Sequence, residues 1–282
     1  MYDFIHNSWR LCACAPLRFI LNVGLAVIVG LALTARAAEP TSKLPPKERF
    51  HLYLLIGQSN MAGRGKIEEQ DKEPHPRVLK LTKDNTWAPG VDPLHFDKPQ
   101  VAGVGLGTSF ARVMAEADPD VTIGLIPCAV GGTPLARWQK DGDLYQQAVV
   151  RAKAAMKDGT LQGILWHQGE SDAGGESTAK TYGERLAKMI GDLREELGVQ
   201  DAPFIAGRLG EFLRRQSKDG KPSYWPLVNE QLVALPKQVL HTAVVSSADL
   251  EHNGDEVHFD SASLRELGKR YANAMRELET KP

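Results

Sequence analysis

Cysteine is scarce in this sequence, with three residues among 282. Cys12 and Cys14 lie within the first forty residues, in a segment whose pattern predicts removal on export, so Cys128 would be the single thiol of the mature chain. An intramolecular disulfide is therefore excluded for a mature chain of that kind. Cys128 ends an apolar strand pattern, where a cysteine usually packs as a small hydrophobic residue, and it is a poor candidate for a nucleophile.

Neither sign of charge predominates. The sequence has 34 Lys and Arg against 35 Asp and Glu, a formal net charge of -1, and it has no long run of like charge. No basic surface is therefore expected to hold a phosphate backbone, and nucleic acid is excluded as a partner. The hydrophobic and charged fractions, 42% and 24%, are those of an ordinary globular protein with a sizeable core. The chain has no internal repeat and no low-complexity tract.

Only the N-terminus has a long hydrophobic run. Arg10 and Arg18 precede an apolar stretch at 19–33, and the small-residue pattern of a cleavage site follows at 35–38. We predict a signal peptide at 1–38, a linker at 39–49 and one folded domain at 50–282, so the protein would be exported to the periplasm or secreted. After cleavage we expect no stable membrane contact. The alternative is an uncleaved anchor, because about 20 apolar residues span a bilayer.

The folded part alternates short apolar runs with helical patterns. Five apolar runs are candidate buried strands: Leu52 to Ile56, Val121 to Pro127, Gly163 to Trp166, Phe204 to Gly207 and Leu240 to Ser246. Amphipathic spacing predicts a helix at 178–197 and a closing helix with Ser261 or Ser263 as its N-cap. The alternation predicts a parallel α/β sheet covered on both faces. The polar segment 66–100, with a short strand candidate at 78–81, is predicted to pass over the sheet near the active face.

Ligands of open parallel sheets bind in the loops that follow the carboxyl ends of the strands. The first such loop contains Ser59, in Gly57-Gln58-Ser59-Asn60-Met61. A serine on a tight turn from strand to helix exposes its Oγ, and its own N–H lies at a helix N-terminus. Ser59 is therefore a candidate nucleophile, although such a serine alone is more often a helix cap. Met61 replaces the second glycine of the G-x-S-x-G motif, which is not matched.

Two further loops have the residues of an oxyanion site. Gly131 and Gly132 follow the next major strand, and glycines let backbone N–H groups approach a ligand closely. The loop after the third strand contains Gln168 and Glu170, where an amide can donate to an oxyanion and a carboxylate can orient a histidine. Each of these turns by itself is weak support for a site. Their position after strands is what makes them candidates.

A base candidate follows the last strand. Asp255 stands three residues ahead of His258, immediately before the closing helix. A carboxylate at that spacing can lie against Nδ1 and hold the imidazole with Nε2 toward a nucleophile. An isolated pair of this kind is usually a surface feature, but here it ends on the same sheet edge as the serine loop.

Taken together, four motifs resemble those of the SGNH-type hydrolases. They are GQSNM at 57–61, AVGGT at 129–133, WHQGESD at 166–172 and DEVH at 255–258. More narrowly, they are similar to the branch that contains sialate O-acetylesterases and the acetylxylan esterases of carbohydrate esterase family six. The resemblance covers nearly all of the chain from about residue 50. It implies a flavodoxin-like, three-layer α/β/α sandwich with a mainly five-stranded parallel sheet.

The resemblance also implies the roles of the residues. Ser59 falls on the nucleophile, His258 on the base and Asp255 on the orienting acid, while members of this branch have also been assigned a catalytic carboxylate at the position of Glu170. The family's activity is release of acetate from acetylated glycans through an acyl-enzyme, without a metal or an organic cofactor. The partner that the resemblance implies is the acetylated carbohydrate substrate.

For the oxyanion hole, the resemblance implies the N–H of Ser59, the N–H of Gly131 or Gly132 and the side chain of Gln168. Gln168 departs from the wider superfamily, which has asparagine in that block, and agrees with the narrower branch.

Two other functions remain open at this point. A metal-dependent hydrolase would use His252, Asp255 and His258, or His167 with Glu170, since imidazole and carboxylate suit zinc. This reading leaves the Ser59 loop without a role.

A non-catalytic carbohydrate-binding protein would stack sugars on Trp87, Trp138 or Trp225 and meet a carboxylate with Arg137. In the esterase, Arg137 and Trp138 are the candidate substrate-binding residues. Nothing in the sequence specifies the glycan or the oligomeric state.

Overall fold

A seven-stranded sheet forms the centre of the computed structural model, which describes residues 43–214 and 220–280. The strands are β1 (Phe50–Gly57), β2 (Val78–Leu81), β3 (Trp87–Pro89), β4 (Thr122–Pro127), β5 (Thr160–His167), β6 (Phe204–Gly207) and β7 (Thr242–Val245). Their order across the sheet is β3-β2-β4-β1-β5-β6-β7, and every neighbouring pair is parallel except β2 with β3.

The expectation of five parallel strands is confirmed for β1, β4, β5, β6 and β7, and the short candidate at 78–81 is β2. The prediction missed β3, so the count of five was too low. β3 has three residues, ends in proline and lies at the sheet edge, half-buried or exposed. Such a strand has too few residues to show the period-two pattern by which strands are recognised.

Strand β1 lies in the middle of the sheet and pairs with both β4 and β5. All its residues except His51 are buried. This is why its sequence is a continuous apolar run rather than an alternating one, as expected of a parallel strand covered on both faces. The carboxyl ends of β4, β1 and β5 consequently meet at one edge of the sheet.

Helices cover both faces of the sheet. They are α1 (Ser59–Ala62), α2 (Glu69–Lys72), α3 (Leu106–Ala117), α4 (Asp143–Ala155), α5 (Glu176–Lys180), α6 (Tyr182–Leu197), α7 (Trp225–Ala234) and α8 (Ser261–Glu279). The core beneath α3 and α8 includes Phe110, Leu264 and Tyr271, and the opposite core beneath α4, α6 and α7 includes Tyr145 and Trp166. This arrangement is the predicted three-layer α/β/α sandwich.

Two helix boundaries differ from the sequence prediction. The helix expected at 178–197 is divided at Thr181, which separates α5 from α6. The N-cap of α8 is Asp260, whose side chain accepts the N–H of Ser263, so the assignment of Ser261 or Ser263 as the cap was wrong. Asp260 is itself a preferred cap residue, and amphipathic periodicity does not distinguish it from the serines that follow.

The predicted signal peptide, and with it the alternative membrane anchor, lies outside the described residues. Of the predicted linker, Lys47–Arg49 form a short 3-10 helix that leads into β1. Within 43–214 and 220–280, no helix has both the length and the apolar character to cross a bilayer.

Candidate active site

Strand β1 requires glycine at its last position. Gly57 has φ of +135°, and a Cβ there would lie 2.2 Å from the carbonyl oxygen of His167 at the end of β5. The N–H of Gln58 donates to that same oxygen at 2.9 Å. The close approach of β1 and β5 therefore brings Ser59, the first residue of α1, next to the loop that follows β5.

Ser59, His258 and Asp255 form one hydrogen-bonded row. The Oγ of Ser59 lies 2.9 Å from Nε2 of His258, and Nδ1 of His258 lies 2.6 Å from Oδ2 of Asp255. The sequence separation between the serine and the histidine is 199 residues, so the fold brings the predicted nucleophile and base together. A histidine held at Nδ1 by a carboxylate presents Nε2 as an acceptor for the serine proton.

Asp255 also holds the backbone of its own loop. Its Oδ1 accepts the N–H groups of Val257 and His258, both at 2.8 Å. Burial acts to raise the pKa of Asp255, but hydrogen bonds from His258 and Val257 and the charge of His258 outweigh it and lower the pKa below the ordinary value. The carboxylate is therefore ionised at neutral pH.

Glu170, the other candidate carboxylate, contacts a different residue. Its Oε1 accepts the side-chain N–H of Asn60 at 2.5 Å, and its Oε2 has no hydrogen-bond partner among the described residues. Burial raises the pKa of Glu170 above its ordinary value. Of the two carboxylates, Asp255 is the one that the structure places against the imidazole.

The two glycines of the turn after β4 differ in what their N–H groups contact. The N–H of Gly131 donates to Oδ2 of Asp97 at 2.8 Å, and that oxygen also accepts Arg64 at 2.7 Å. Gly131 as the oxyanion donor is therefore a wrong prediction for this structure, because its N–H is already engaged. Gly132 follows in the left-handed region with φ of +77°, beside the cleft, and no hydrogen bond takes up its N–H within the described residues.

Gln168 does not reach the cleft. It is fully buried, its Nε2 donates to the carbonyl of Thr133 and to Asp172, and its Oε1 accepts the hydroxyl of Tyr182. Assignment of Gln168 to the oxyanion hole was therefore wrong, since both ends of its amide are used within the protein. Its sequence position after a strand gave no sign that the side chain turns inward.

Arg137 and Trp138 also lie away from the cleft. Trp138 is buried with its indole N–H on Thr133, and it packs edge-on against Trp166. The Arg137 side chain is 43% exposed and pairs with Asp143. Substrate binding by Trp138 was a wrong prediction, because the 3-10 helix Leu135–Trp138 points the tryptophan into the core. Substrate binding by Arg137 stays a prediction, although its side chain is not among the residues that line the cleft.

The histidines of the metal hypothesis are engaged elsewhere. Both ring nitrogens of His258 are used by Asp255 and Ser59, and Nδ1 of His252 accepts the N–H groups of Gly254 and Glu256. His167 is fully buried with Nδ1 on Tyr271, and burial lowers its pKa to about 3. Across 43–214 and 220–280, no three His, Cys, Asp or Glu side chains are grouped to hold a metal.

A cleft of about 680 Å³ opens above the row. Beyond the predicted residues, its lining includes side chains that the sequence did not single out as site residues, among them Gln58, Arg64 and Lys98. Gln58 immediately precedes Ser59. Lys98 belongs to the 66–100 segment, which was expected near the active face, and Arg64 lies just before that segment. A Cβ on Gly132 would lie 4.0 Å from Nζ of Lys98.

An α/β/α sandwich that joins a serine, a histidine and a carboxylate at the carboxyl edge of its parallel strands has the architecture of a serine hydrolase. A family model described as "Carbohydrate esterase, sialic acid-specific acetylesterase" matches residues 49–277. The chain belongs to this family of carbohydrate acetylesterases, and the resemblance drawn from the four motifs is confirmed.

Proteins similar to this chain in sequence or structure support the family assignment. A "probable carbohydrate esterase" of Arabidopsis thaliana is 32% identical over 256 residues, covering 84% of this chain and 93% of the relative. A "probable 9-O-acetyl-N-acetylneuraminic acid deacetylase" of Escherichia coli is 24% identical over 56% of this chain and 66% of the relative. An X-ray structure of an Arabidopsis thaliana protein superposes with a TM-score of 0.73 at 29% identity, covering 83% of this chain and 99% of that one.

Proposed function

We propose that the enzyme releases acetate from acetylated carbohydrates by a two-step acyl transfer at Ser59. The observation that carries the mechanism is the row from Ser59 Oγ to His258 Nε2 at 2.9 Å and from His258 Nδ1 to Asp255 at 2.6 Å. His258 takes the Ser59 proton while Oγ attacks the acetyl carbonyl carbon, and it then gives that proton to the departing sugar oxygen. Water, deprotonated by His258, releases acetate and restores the Ser59 hydroxyl.

The negative charge on the acetyl oxygen needs donors beside Ser59. The N–H groups of Ser59 and Gly132 are the backbone candidates, since no other group in the described part of the chain accepts them. Gln58 is the side-chain candidate. Its Oε1 accepts the N–H of Ser171 at 3.3 Å, which leaves the amide nitrogen as the end that can donate into the cleft. Preorganised donors of this kind each contribute about 3 kcal/mol to transition-state stabilisation.

The sugar lies against the wall formed by Arg64 and Lys98. Both side chains line the cleft, and Lys98 lies beside the glycine turn. Asp97 neutralises Arg64 through a 2.7 Å ion pair, so among the described residues that line the cleft Lys98 is the cation left for a negatively charged substrate group. The relative from Escherichia coli is named for a sugar with a carboxylate, and an O-acetylated acidic sugar would complement this wall.

Acetate release tests the proposal. Purified enzyme and Ser59→Ala are compared on para-nitrophenyl acetate, O-acetylated sialic acid and acetylated xylan, with and without a chelator and a serine-directed phosphonate. We expect turnover that resists the chelator and disappears with the phosphonate and in Ser59→Ala. Activity that the chelator abolishes would support the metal-dependent hydrolase instead. Binding of glycans without turnover would support a non-catalytic binder.

We also propose export of the mature enzyme, on the basis of the charged, apolar and small-residue order of the first 38 residues. N-terminal sequencing of the protein recovered from the periplasm or medium should find a chain that starts near Glu39 or Pro40. Recovery of the full-length chain in the membrane fraction would indicate the anchor.

A further inference from the structure

Asn60 makes three hydrogen bonds from a single buried amide, directly after the nucleophile. Its Nδ2 donates to Oε1 of Glu170 at 2.5 Å and to the carbonyl of Val257 at 3.2 Å, and its Oδ1 accepts the N–H of Phe259 at 3.1 Å. The side chain is 1% exposed. Both ends of the amide are thus directed at two other loops.

The two backbone partners lie on either side of His258. The carbonyl of Val257 and the N–H of Phe259 belong to the residues that flank the histidine, so Asn60 fixes the main chain before and after it. This loop has little packing of its own, since Asn253, Gly254, Asp255 and Val257 are exposed. A loop with few buried contacts depends on such hydrogen bonds for its position.

Glu170 and the two backbone groups together fix which way the Asn60 amide faces. If the amide rotated by half a turn, its oxygen would face both the Glu170 carboxyl oxygen and the Val257 carbonyl, and its nitrogen would face the Phe259 N–H. Three favourable contacts would become three unfavourable ones, and unpaired buried polar groups are costly. By hydrogen bonds, Glu170 is therefore connected to the histidine loop through Asn60, whereas Asp255 contacts the ring itself.

We propose that Asn60, oriented by Glu170, is the positioning residue that holds His258 in line with Ser59. This inference rests on the proposed acyl transfer at Ser59 and adds a division of roles between the carboxylates. Asp255 acts on the imidazole, and Glu170 acts on the loop that contains it. The requirement at position 170 is then a hydrogen-bond acceptor for Asn60 rather than a negative charge.

Substitutions at the two positions test this division. Asn60→Asp keeps the shape but cannot donate to Glu170 or Val257, so kcat should fall roughly 10- to 100-fold, because a displacement of about 1 Å can cost that much. KM should change less than threefold by the same reasoning, since Asn60 does not bind substrate. Glu170→Ala should lose kcat similarly. Glu170→Gln, which retains an acceptor oxygen, should be about tenfold more active than Glu170→Ala.

Hydrogen exchange supplies a readout besides turnover. The amides of residues 253–259 should exchange faster in Asn60→Asp and Glu170→Ala than in wild type, and Glu170→Gln should restore slow exchange. Asn273→Asp, an exposed site on α8, is the matched control for the chemical change. Circular dichroism and the melting temperature identify any variant that fails to fold, and the Glu170→Gln comparison then decides the matter.

The outcomes separate the two levels of the proposal. If Ser59→Ala retains wild-type activity, the acyl transfer itself is wrong. If Ser59→Ala is inactive while Asn60→Asp and Glu170→Ala keep full kcat, the positioning role is wrong and the acyl transfer stands. If Glu170→Gln is as inactive as Glu170→Ala, Glu170 acts through its charge, and the inference is overturned.

Discussion

Replacement of Asp255 by asparagine should move the imidazole proton of His258 from Nδ1 to Nε2. Oδ1 of Asp255 accepts two backbone N–H groups at 2.8 Å, so the asparagine oxygen would remain there and its NH₂ group would face Nδ1, where Oδ2 now lies at 2.6 Å. Two donors would then oppose each other unless the imidazole moves its proton to Nε2. An Nε2 that already has a proton cannot take the one on Ser59.

The same change in serine proteases lowers kcat by about 10⁴. Here the Asp255 side chain is 44% exposed, so water can compete with the amide for Nδ1, and we expect a loss of roughly 10²- to 10⁴-fold. The assay is kcat for acetate release, with Glu251→Gln as the control, because it removes one charge from an exposed position at the start of the same loop. A kcat for Asp255→Asn within about tenfold of wild type would show that the imidazole proton does not move to Nε2.

Three further predictions follow from the site and the core. Gln58→Ala should lower kcat roughly 10²- to 10³-fold with little loss of stability. Gln168→Ala should instead lower the free energy of unfolding in urea by roughly 2–4 kcal/mol, because it leaves Thr133 and Tyr182 without their buried partner. Equal stability of the two variants would contradict this. Arg137→Ala should leave KM for acetylated glycans unchanged, because the arginine contacts Asp143 outside the cleft, and a raised KM would support its predicted role. Burial lowers the pKa of His95 from 6.5 to about 4, so the unfolded chain takes up a proton at a higher pH than the folded protein does. Stability should therefore fall as the pH is lowered from about 6.5 toward 4. His95→Phe should flatten this part of a plot of urea midpoint against pH, and an unchanged slope would argue against the role of His95.

The sequence predicted the architecture because strands buried on both faces appear in it as continuous apolar runs. Runs such as that in β1 are apolar throughout, and each is followed by a loop of glycine and polar residues. The edge strand β3 and the cap Asp260 were missed, since short edge strands and neighbouring cap candidates give little periodic signal. Local pattern therefore sufficed for elements that are long and buried on both faces.

The site residues show a sharper contrast. Position after a strand end identified the loops of Ser59, His258 and Asp255, which the fold joins in one row. The same criterion also selected Gln168, whose side chain turns into the core. Loop position determines which backbone is near the cleft, but packing of the neighbouring helices determines which way each side chain points.

From the sequence alone follow the class of fold, the family and the identities of the serine, the histidine and two carboxylates. These depend on periodicity and on motif spacing, which are local properties of the chain. Only the tertiary structure decided that Asp255 contacts the imidazole while Glu170 contacts Asn60, and that Asp97 occupies the Gly131 N–H. The reason is physical: a hydrogen bond is decided within a few tenths of an ångström between residues far apart in sequence, and that distance exists only once the sheet has assembled.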